Sequence, residues 1–409
     1  MMDQFNLSQT QPGQPIASPE AQAEKKFPFF TDAKVSAQLR SYYFYRDAFD
    51  DSLSEALTLG GSVSFKSGYL GNVFALGAVG YTSQPLYAPD DRDGTLLLEP
   101  GQEGFIVLGQ IYGEFKITEK IFAAVGRKEY NTPYVNKNDT RMVPNTFEGA
   151  TFYGKAGGDE GEPAWRFGGG YLTQIKERNT ESFVWMSHDA GSDAERGVAL
   201  AGANVDWKGI SFGAIDYYCA DVINIFYTEA KYQLFKGDGY DLKIAGQFTD
   251  QRSIGDERLT GDDFSTWQLG FKTDFTLGEA VFTAAVTTVD TGDTMRSPWG
   301  GYPGYTSVQV QDFFRAGESA AMIRAGYDFS KLGLKGVSAY ALYVYGFGVD
   351  DPNFDQSEID LNVQWTPVGG AMRGMSFRVR YAYVAQDGDG DPSISEVRFI
   401  MNYDFPRPD

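Results

Sequence analysis

Among 409 residues there is one cysteine, Cys219, and one histidine, His188. A lone thiol closes no disulfide within the chain, and a lone imidazole can neither build a histidine-rich metal site nor supply two acid–base groups. Long apolar runs are missing too, since no stretch approaches the roughly 18 residues that a membrane helix requires. If the chain crosses a bilayer it must do so as a closed barrel, the other structure that satisfies its backbone polar groups inside lipid. Positive charge is in deficit, with 35 Lys and Arg against 55 Asp and Glu and a formal net charge of -20. That balance excludes a nucleic-acid partner from the expected functions, because such binders need clustered cations to displace phosphate counterions. The excess acid lies largely in runs such as Asp90-Asp91-Arg92-Asp93 and Asp387-Gly388-Asp389-Gly390-Asp391, which read as solvated loops. The second run and Asp256-Glu257 offer oxygens to calcium, but the full twelve-residue loop pattern is absent, and neither metal nor cofactor is expected.

Aromatic residues and glycine are plentiful, with 25 Tyr, 31 Phe and 48 Gly, a balance that favours pleated surface and turns over helix. The polar stretch Met1 to Phe30 has no apolar core of the kind that a secretory signal needs. Within it, Ser8 to Lys26 reads as a flexible leader, so the expected organisation is a leader over 1–30 and one β-domain over 31–409.

Side chains on a strand alternate faces, and a membrane barrel must show lipid on one face and water on the other. Near the end of the chain Val397, Phe399, Met401, Tyr403 and Phe405 alternate with Glu396, Arg398, Asn402 and Asp404, broken only by Ile400. The same period of two sets Ile359, Leu361, Val363 and Trp365 against Glu358, Asp360, Asn362 and Gln364. It sets Leu57, Leu59, Val63 and Phe65 against Thr58, Ser62, Ser64 and Lys66. On the first strand Lys34, Ser36, Gln38 and Arg40 oppose Val35, Ala37, Leu39 and Tyr43, and later Trp267, Leu269 and Phe271 oppose Gln268 and Lys272. None of these segments has helical period.

A soluble sandwich also alternates, and the connections separate the two. Short turns are predicted near Gly68 to Gly71, Thr118 to Glu119, Trp207 to Lys208, Lys236 to Gly239 and Leu277 to Gly278. Between them fall longer loops near Thr82 to Glu103, Glu129 to Phe147, Lys176 to Arg196, Gln251 to Asp263 and Thr291 to Ser319. Long loops at one end and short turns at the other are the rhythm of outer-membrane barrels. The expected fold is thus an all-β, transmembrane, antiparallel barrel of about 18 strands from Lys34 to Phe405. Aromatic residues at strand ends, among them Tyr43, Trp267, Tyr345, Trp365, Tyr403 and Phe405, would make two interfacial girdles.

The stretch Asp139-Thr140-Arg141-Met142-Val143-Pro144-Asn145-Thr146-Phe147-Glu148-Gly149 resembles the signature that follows the third external loop in OprD-type porins. Gly109-Gln110-Ile111-Tyr112, Val125-Gly126-Arg127 and Ile175-Lys176-Glu177-Arg178-Asn179 are similar to flanking blocks of that family. Leu39 to Asp47 resembles its opening strand, and Asp312 to Glu318 with Tyr327-Asp328-Phe329 resembles the end of its seventh loop. The resemblance implies an eighteen-stranded barrel in the bacterial outer membrane, third and seventh loops folded inward to a narrow eyelet, and a row of basic side chains on the wall. It also implies facilitated diffusion of basic amino acids or small carboxylates without a cofactor.

An inward basic row follows from the alternation as well, because Arg40, Arg324, Arg378, Arg380 and Arg398 fall on the polar side of their strands, with Lys243 and Lys272 as further candidates. In a closed barrel the first strand meets the last, so Arg40, Arg378, Arg380 and Arg398 share one region of wall. Arginine suits carboxylate hand-over because its planar fork stays charged and binds bidentately; each arginine could instead pair with a lumen acid such as Glu396 or Asp360. The counter-pole would come from inward loops, with Asp312 first and Asp139 or Glu318 next, Arg315 beside them and Tyr134 as a steric wall. Asp139 and Arg141 are open to a second reading, an ion pair inside the loop.

Two other functions compete. A membrane-embedded hydrolase would use Ser187-His188-Asp189 and needs these groups to converge at one site. A non-channel surface β-protein would show the same alternation. Expected partners are small solutes, outer-membrane lipid and lipopolysaccharide, and the barrel assembly machinery through the terminal strand ending near Phe405. Selectivity stays open between acids and bases, since arginine rows suit the former and loop carboxylates the latter.

Overall fold

A computed structural model describes residues 28–259, 261–349, 354–387 and 392–405. Of the leader expected over 1–30, residues 1–27 lie outside the described set, as do four of the five residues in the acidic run Asp387 to Asp391. A single helical turn, α1 (Pro28–Thr31), precedes the wall, and Gly68 N–H donates to the Phe29 carbonyl at 3.0 Å.

The first half of the wall comprises β1 (Lys34–Asp47), β2 (Leu53–Lys66), β3 (Phe74–Tyr87), β4 (Phe105–Lys116), β5 (Ile121–Lys128), β6 (Thr146–Gly157) and β7 (Ala164–Lys176). A two-residue strand, β8 (Val184–Trp185), then pairs only with the end of β7 and is followed by the helical turn α2 (Met186–Asp189). The second half comprises β9 (Val198–Trp207), β10 (Ile210–Cys219), β11 (Ile223–Gly237), β12 (Tyr240–Arg252), β13 (Ser265–Leu277) and β14 (Ala280–Val289). It continues through β15 (Ser319–Asp328), β16 (Val337–Phe347), β17 (Gln356–Trp365), β18 (Met375–Gln386) and β19 (Ser393–Phe405).

Setting β8 aside, 18 strands pair antiparallel with their neighbours, β7 pairs directly with β9, and β19 pairs with β1 from Ala37↔Phe405 to Asp47↔Ser395. No edge is left in the wall, which is therefore a closed cylinder. Strands run somewhat further than the loop boundaries predicted from sequence: Thr82 to Tyr87 belong to β3, and Gln251 and Arg252 to β12.

The alternation has the expected sense. Ile359, Leu361, Val363 and Trp365 face outward and are exposed, whereas Glu358, Asp360 and Asn362 point into the lumen and are buried there. Trp365, Phe377, Tyr403 and Phe405 gather near the short-turn end, with Trp365 stacked on Phe377 at 5.5 Å. Tyr43, Trp267, Tyr345 and Phe347 stand at the other end, so the two girdles exist.

Many lumen polar groups pair with one another, as burial favours. Glu114 accepts from Lys66 Nζ at 2.8 Å, Tyr69 OH at 2.5 Å and Tyr153 OH at 2.8 Å, with Lys128 Nζ at 3.6 Å. Two glycine positions matter most for the wall. Gly71 and Asn72 both have φ of 58°, and Val73 N–H returns to the Leu70 carbonyl, which makes the tight turn joining β2 to β3. Gly61 has φ of 139°, and a Cβ there would lie 1.8 Å from the Gln38 carbonyl of β1. Gly61→Ala is expected to destabilise the barrel by at least about 1–3 kcal/mol, read as a lower urea midpoint in heat-modifiable gel mobility. An unchanged midpoint would mean that the β1–β2 contact relaxes freely.

Candidate functional site

The lumen is narrowed by chain that enters from the long-loop end. Residues 129–145, the third loop, place Tyr134 against the wall, where its N–H meets Tyr217 OH at 3.2 Å and its hydroxyl meets Thr249 Oγ1 at 3.3 Å. Residues 290–318, the seventh loop, join it through Asn136, whose amide donates to the Gly301 carbonyl at 2.8 Å and accepts from Gly301 N–H at 2.9 Å. Trp299, fully buried, donates its Nε1–H to the Met186 carbonyl of α2 at 2.7 Å, so the fourth connection, 177–197, is drawn in as well. The apolar cluster that results, from Tyr134 and Trp299 to Ile215, Tyr217 and Tyr227, fills the side of the lumen next to β9–β12.

From this plug the seventh loop crosses to the opposite wall. Val310 and Gln311 N–H donate to the two oxygens of Glu358, each at 2.8 Å, and Gln309 N–H donates to Asp360 at 3.1 Å. Gln309 is held again by its side-chain amide on Glu396 at 3.0 Å and by Arg398, which donates to its carbonyl at 3.1 Å. Inward acids of β17 and β19 are thus acceptors for a loop that has no strand partner there.

Between this crossing and β1 lies a cavity of about 260 Å³ lined by Arg40, Arg141, Arg378 and Arg380, with Asp139 as its one carboxylate. Arg40 grips Asp139 at 2.6 and 3.2 Å and also donates to the Arg141 carbonyl at 2.6 Å and to Asn402 at 2.8 Å. Arg378 donates to Asn362 at 2.5 Å, while the buried Nε of Arg380 has no hydrogen-bond partner among the described residues. Arg141 is 5% exposed, donates to the Thr95 and Thr140 carbonyls, and stacks over Phe44. Burial and then the charge of Arg398 pull its guanidinium down to about 9, still charged at neutral pH. A second cavity, of about 220 Å³, lies on the far side of the same Arg40–Asp139 pair towards β2–β4 and holds Glu129.

The family model for outer membrane porins of the OprD family matches residues 28–407. The chain belongs to the OprD family. Among solved structures, this OprD-family porin is similar to OccK9 (OpdG) of Pseudomonas aeruginosa, with 23% identity and a TM-score of 0.82 over 92% of this chain and 99% of that one. It is similar to OccAB3 of Acinetobacter baumannii, with 17% identity and a TM-score of 0.83 over 92% and 100%. It is also similar to Pseudomonas aeruginosa OpdK, a structure with vanillate, at 19% identity and a TM-score of 0.78 over 92% and 99%. No curated protein matches the chain. The short-turn end is accordingly periplasmic and the long-loop end external.

The porin's basic residues do not all stand in one free row. Arg40, Arg378 and Arg380 share the cavity, but Arg398 is 2% exposed and bound to Glu396 at 2.5 Å and to the seventh loop. Arg324 lies further round the wall on β15, stacked on Tyr340 at 4.0 Å with no ion pair among the described residues. Lys243 and Lys272 line a wider cavity of about 720 Å³ nearer the periplasmic turns, beside Asp241 and Asp274 respectively. In the loops, Asp139 pairs with Arg40 of the wall rather than with Arg141. Arg315 and Glu318 bind each other at 2.8 Å and brace the base of the seventh loop, and Tyr134 is sealed inside the plug instead of lining open lumen. Asp312 accepts from Ser307 at 2.5 Å; burial pushes its carboxyl above the usual range, and Ser307 and Arg178 draw it back.

The second and fourth connections also turn inward, which the sequence reading did not anticipate. Leu97 and Leu98 pack under Phe44, Met142 and Val143, and the signal for this was the apolar triplet Leu96-Leu97-Leu98 inside an otherwise polar loop. Ser187 is buried with its hydroxyl on the Ala194 carbonyl, and no hydrogen bond joins it to His188 among the described residues.

Proposed function

We propose that this porin carries small organic carboxylates by facilitated diffusion, passing them from Arg380 and Arg378 to Arg40 and then towards Lys272 and Lys243. The observation that carries this reading is the imbalance in the 260 Å³ cavity, four guanidinium groups against one carboxylate that Arg40 already occupies. A low-dielectric wall strengthens such a field, and Arg380 has a buried N–H that a solute carboxylate would satisfy. Several weak stations in series let a solute leave as readily as it arrives. The vanillate in the OpdK structure is itself a small carboxylate, which favours the same class here. No covalent chemistry is assigned to the chain: Ser187 is tied to loop backbone, and solute moves only down its gradient. The same reading places lipopolysaccharide around the external rim and gives β19 to the barrel assembly machinery.

The test is liposome swelling with benzoate-like acids, dicarboxylates and basic amino acids. Carboxylates are expected to outpace cations in the native barrel, and Arg378→Gln with Arg380→Gln is expected to reduce that preference about ten-fold. Cations moving faster than every acid through the native protein would sink the proposal.

A further inference from the structure

The outer face of the wall carries a hollow that the solute path does not use. It lies over β13–β17, has a volume of about 660 Å³ and is lined almost wholly by apolar groups. Phe275 and Phe282 flank it on one side, Tyr343 and Ile359 on the other, and all four are exposed on the outside of the barrel. Ala325 and Ala341 stand opposite each other in its floor, with Phe282 opposite Ala325 on the other edge. Methyl groups among ring-sized neighbours leave a depression, and at this depth of the bilayer only hydrocarbon can fill it. Phe275↔Phe282 is one outward rung above Leu277↔Ala280, the last pair of the β13–β14 hairpin, so the hollow belongs to the periplasmic leaflet.

At its foot the turns change character. Those at 208–209, 238–239 and 278–279 are minimal, whereas 329–336 and 366–374 are long and are joined to each other by Thr366 N–H on the Gly336 carbonyl at 2.8 Å. In a chain of net charge -20 these two turns hold Lys331, Lys335 and Arg373 and no acidic residue. Leu332, Leu334 and Val368 stand among the cations, each more than half exposed. The outward face of β15 leads from Ala325 to Tyr327, whose ring meets Phe329 of the first long turn at 4.9 Å. Lys331 then reaches back beneath the hollow to Glu279 of the 278–279 turn at 2.5 Å. The adjoining acids are thereby engaged, Glu279 by Lys331 and Asp328 by the Ser330 N–H at 2.8 Å. Lys331 is still largely exposed, with further N–H donors to offer, and Lys335 and Arg373 form no ion pair among the described residues.

We infer that this hollow and the two long turns below it bind a phospholipid of the periplasmic leaflet that has an anionic headgroup. One acyl chain lies over Ala325 and Ala341, and Lys331, Lys335 and Arg373 meet the phosphate, while Leu332, Leu334 and Val368 enter the interfacial layer around it. Headgroup selection follows from the missing acids: the ammonium of phosphatidylethanolamine finds cations and no uncommitted carboxylate, whereas the uncharged glycerol of phosphatidylglycerol adds no repulsion. The site is independent of the solute that crosses the lumen.

The experiment reconstitutes the full-length barrel in vesicles of equal parts phosphatidylethanolamine and phosphatidylglycerol, extracts it in mild detergent and counts the retained lipid by native mass spectrometry. The native barrel is expected to keep phosphatidylglycerol over phosphatidylethanolamine about ten-fold. Lys331→Gln with Lys335→Gln and Arg373→Gln should abolish that preference, and Lys120→Gln, on the 117–120 turn, should leave it intact. Ala325→Phe fills the floor and should lower retention of both lipids about ten-fold. Heat-modifiable mobility checks that each barrel is closed, and the turn and groove variants fail independently should one misfold. Equal retention of the two lipids by the native barrel overturns the inference, as does native retention in both the triple variant and Ala325→Phe, or an equal loss in Lys120→Gln. A lipid-free dimer that Ala325→Phe dissociates would give the hollow to a second copy of the chain and overturn it too.

Discussion

Glu358→Leu is expected to raise single-channel conductance about two-fold, because Val310 and Gln311 then lose their bonds to the far wall and the seventh loop is left there on Gln309 alone. Val310 and Gln311 each donate a backbone N–H to this one side chain. A buried amide without an acceptor costs about 1–3 kcal/mol, so the pair costs roughly 2–6 kcal/mol, enough to lift Val310 and Gln311 off the wall. The strand ladder does not depend on the carboxylate, since residue 358 keeps its backbone partners Val344 and Val384. Glu358→Gln retains one oxygen acceptor and should fall between the two. Planar-bilayer recording distinguishes these outcomes, and a leucine variant with native conductance and native current noise would show that the loop holds its position by other contacts.

Arg40→Ala is expected to have the other large effect. Its guanidinium is one of the ties between wall and third loop, bonded to Asp139 and the Arg141 carbonyl of the loop and steadied by Asn402 of β19. The Arg40–Asp139 pair also divides the cavities of about 260 and 220 Å³. Removing it should merge them, admit solutes too large for the native pore, and weaken the preference for anions. The stability cost is about 1–3 kcal/mol, given that both partners keep some access to water. Asp139→Asn spares the carbonyl and Asn402 bonds and should change solute cut-off less. Size exclusion measured with graded sugars is the check; a native cut-off in Arg40→Ala would remove this residue from the positioning of the loop.

The cylinder was legible in the sequence because lipid and water impose opposite demands at every second residue. Ile359 to Trp365 and Val397 to Phe405 state their orientation without reference to any other segment. The same rule pointed Arg378, Arg380, Glu358 and Glu396 inward, and they are inward. What alternation cannot convey is which inward group meets which loop. Arg398 and Arg378 look alike on a strand diagram, yet one is consumed by Glu396 and Gln309 while the other borders open space. The loops obey no period, so their paths depend on packing between distant segments: Trp299 on α2, Asn136 on Gly301, Leu97 beneath Met142. Arg178 lies inside a block resembling the family, but its partner Thr140 stands 38 positions earlier in the chain.

The pairing of β1 with β19 joins positions near residue 40 to positions near residue 400. Every other seam in the wall can form between near neighbours as the polypeptide is threaded across, but this last one waits for the final strand to be delivered. Until then the nascent sheet is an open ribbon with two sticky margins, each able to recruit a foreign strand. Maturation is therefore gated by the slowest and most distant encounter in the molecule, and a lesion in either margin should accumulate unsealed chains instead of leaky pores.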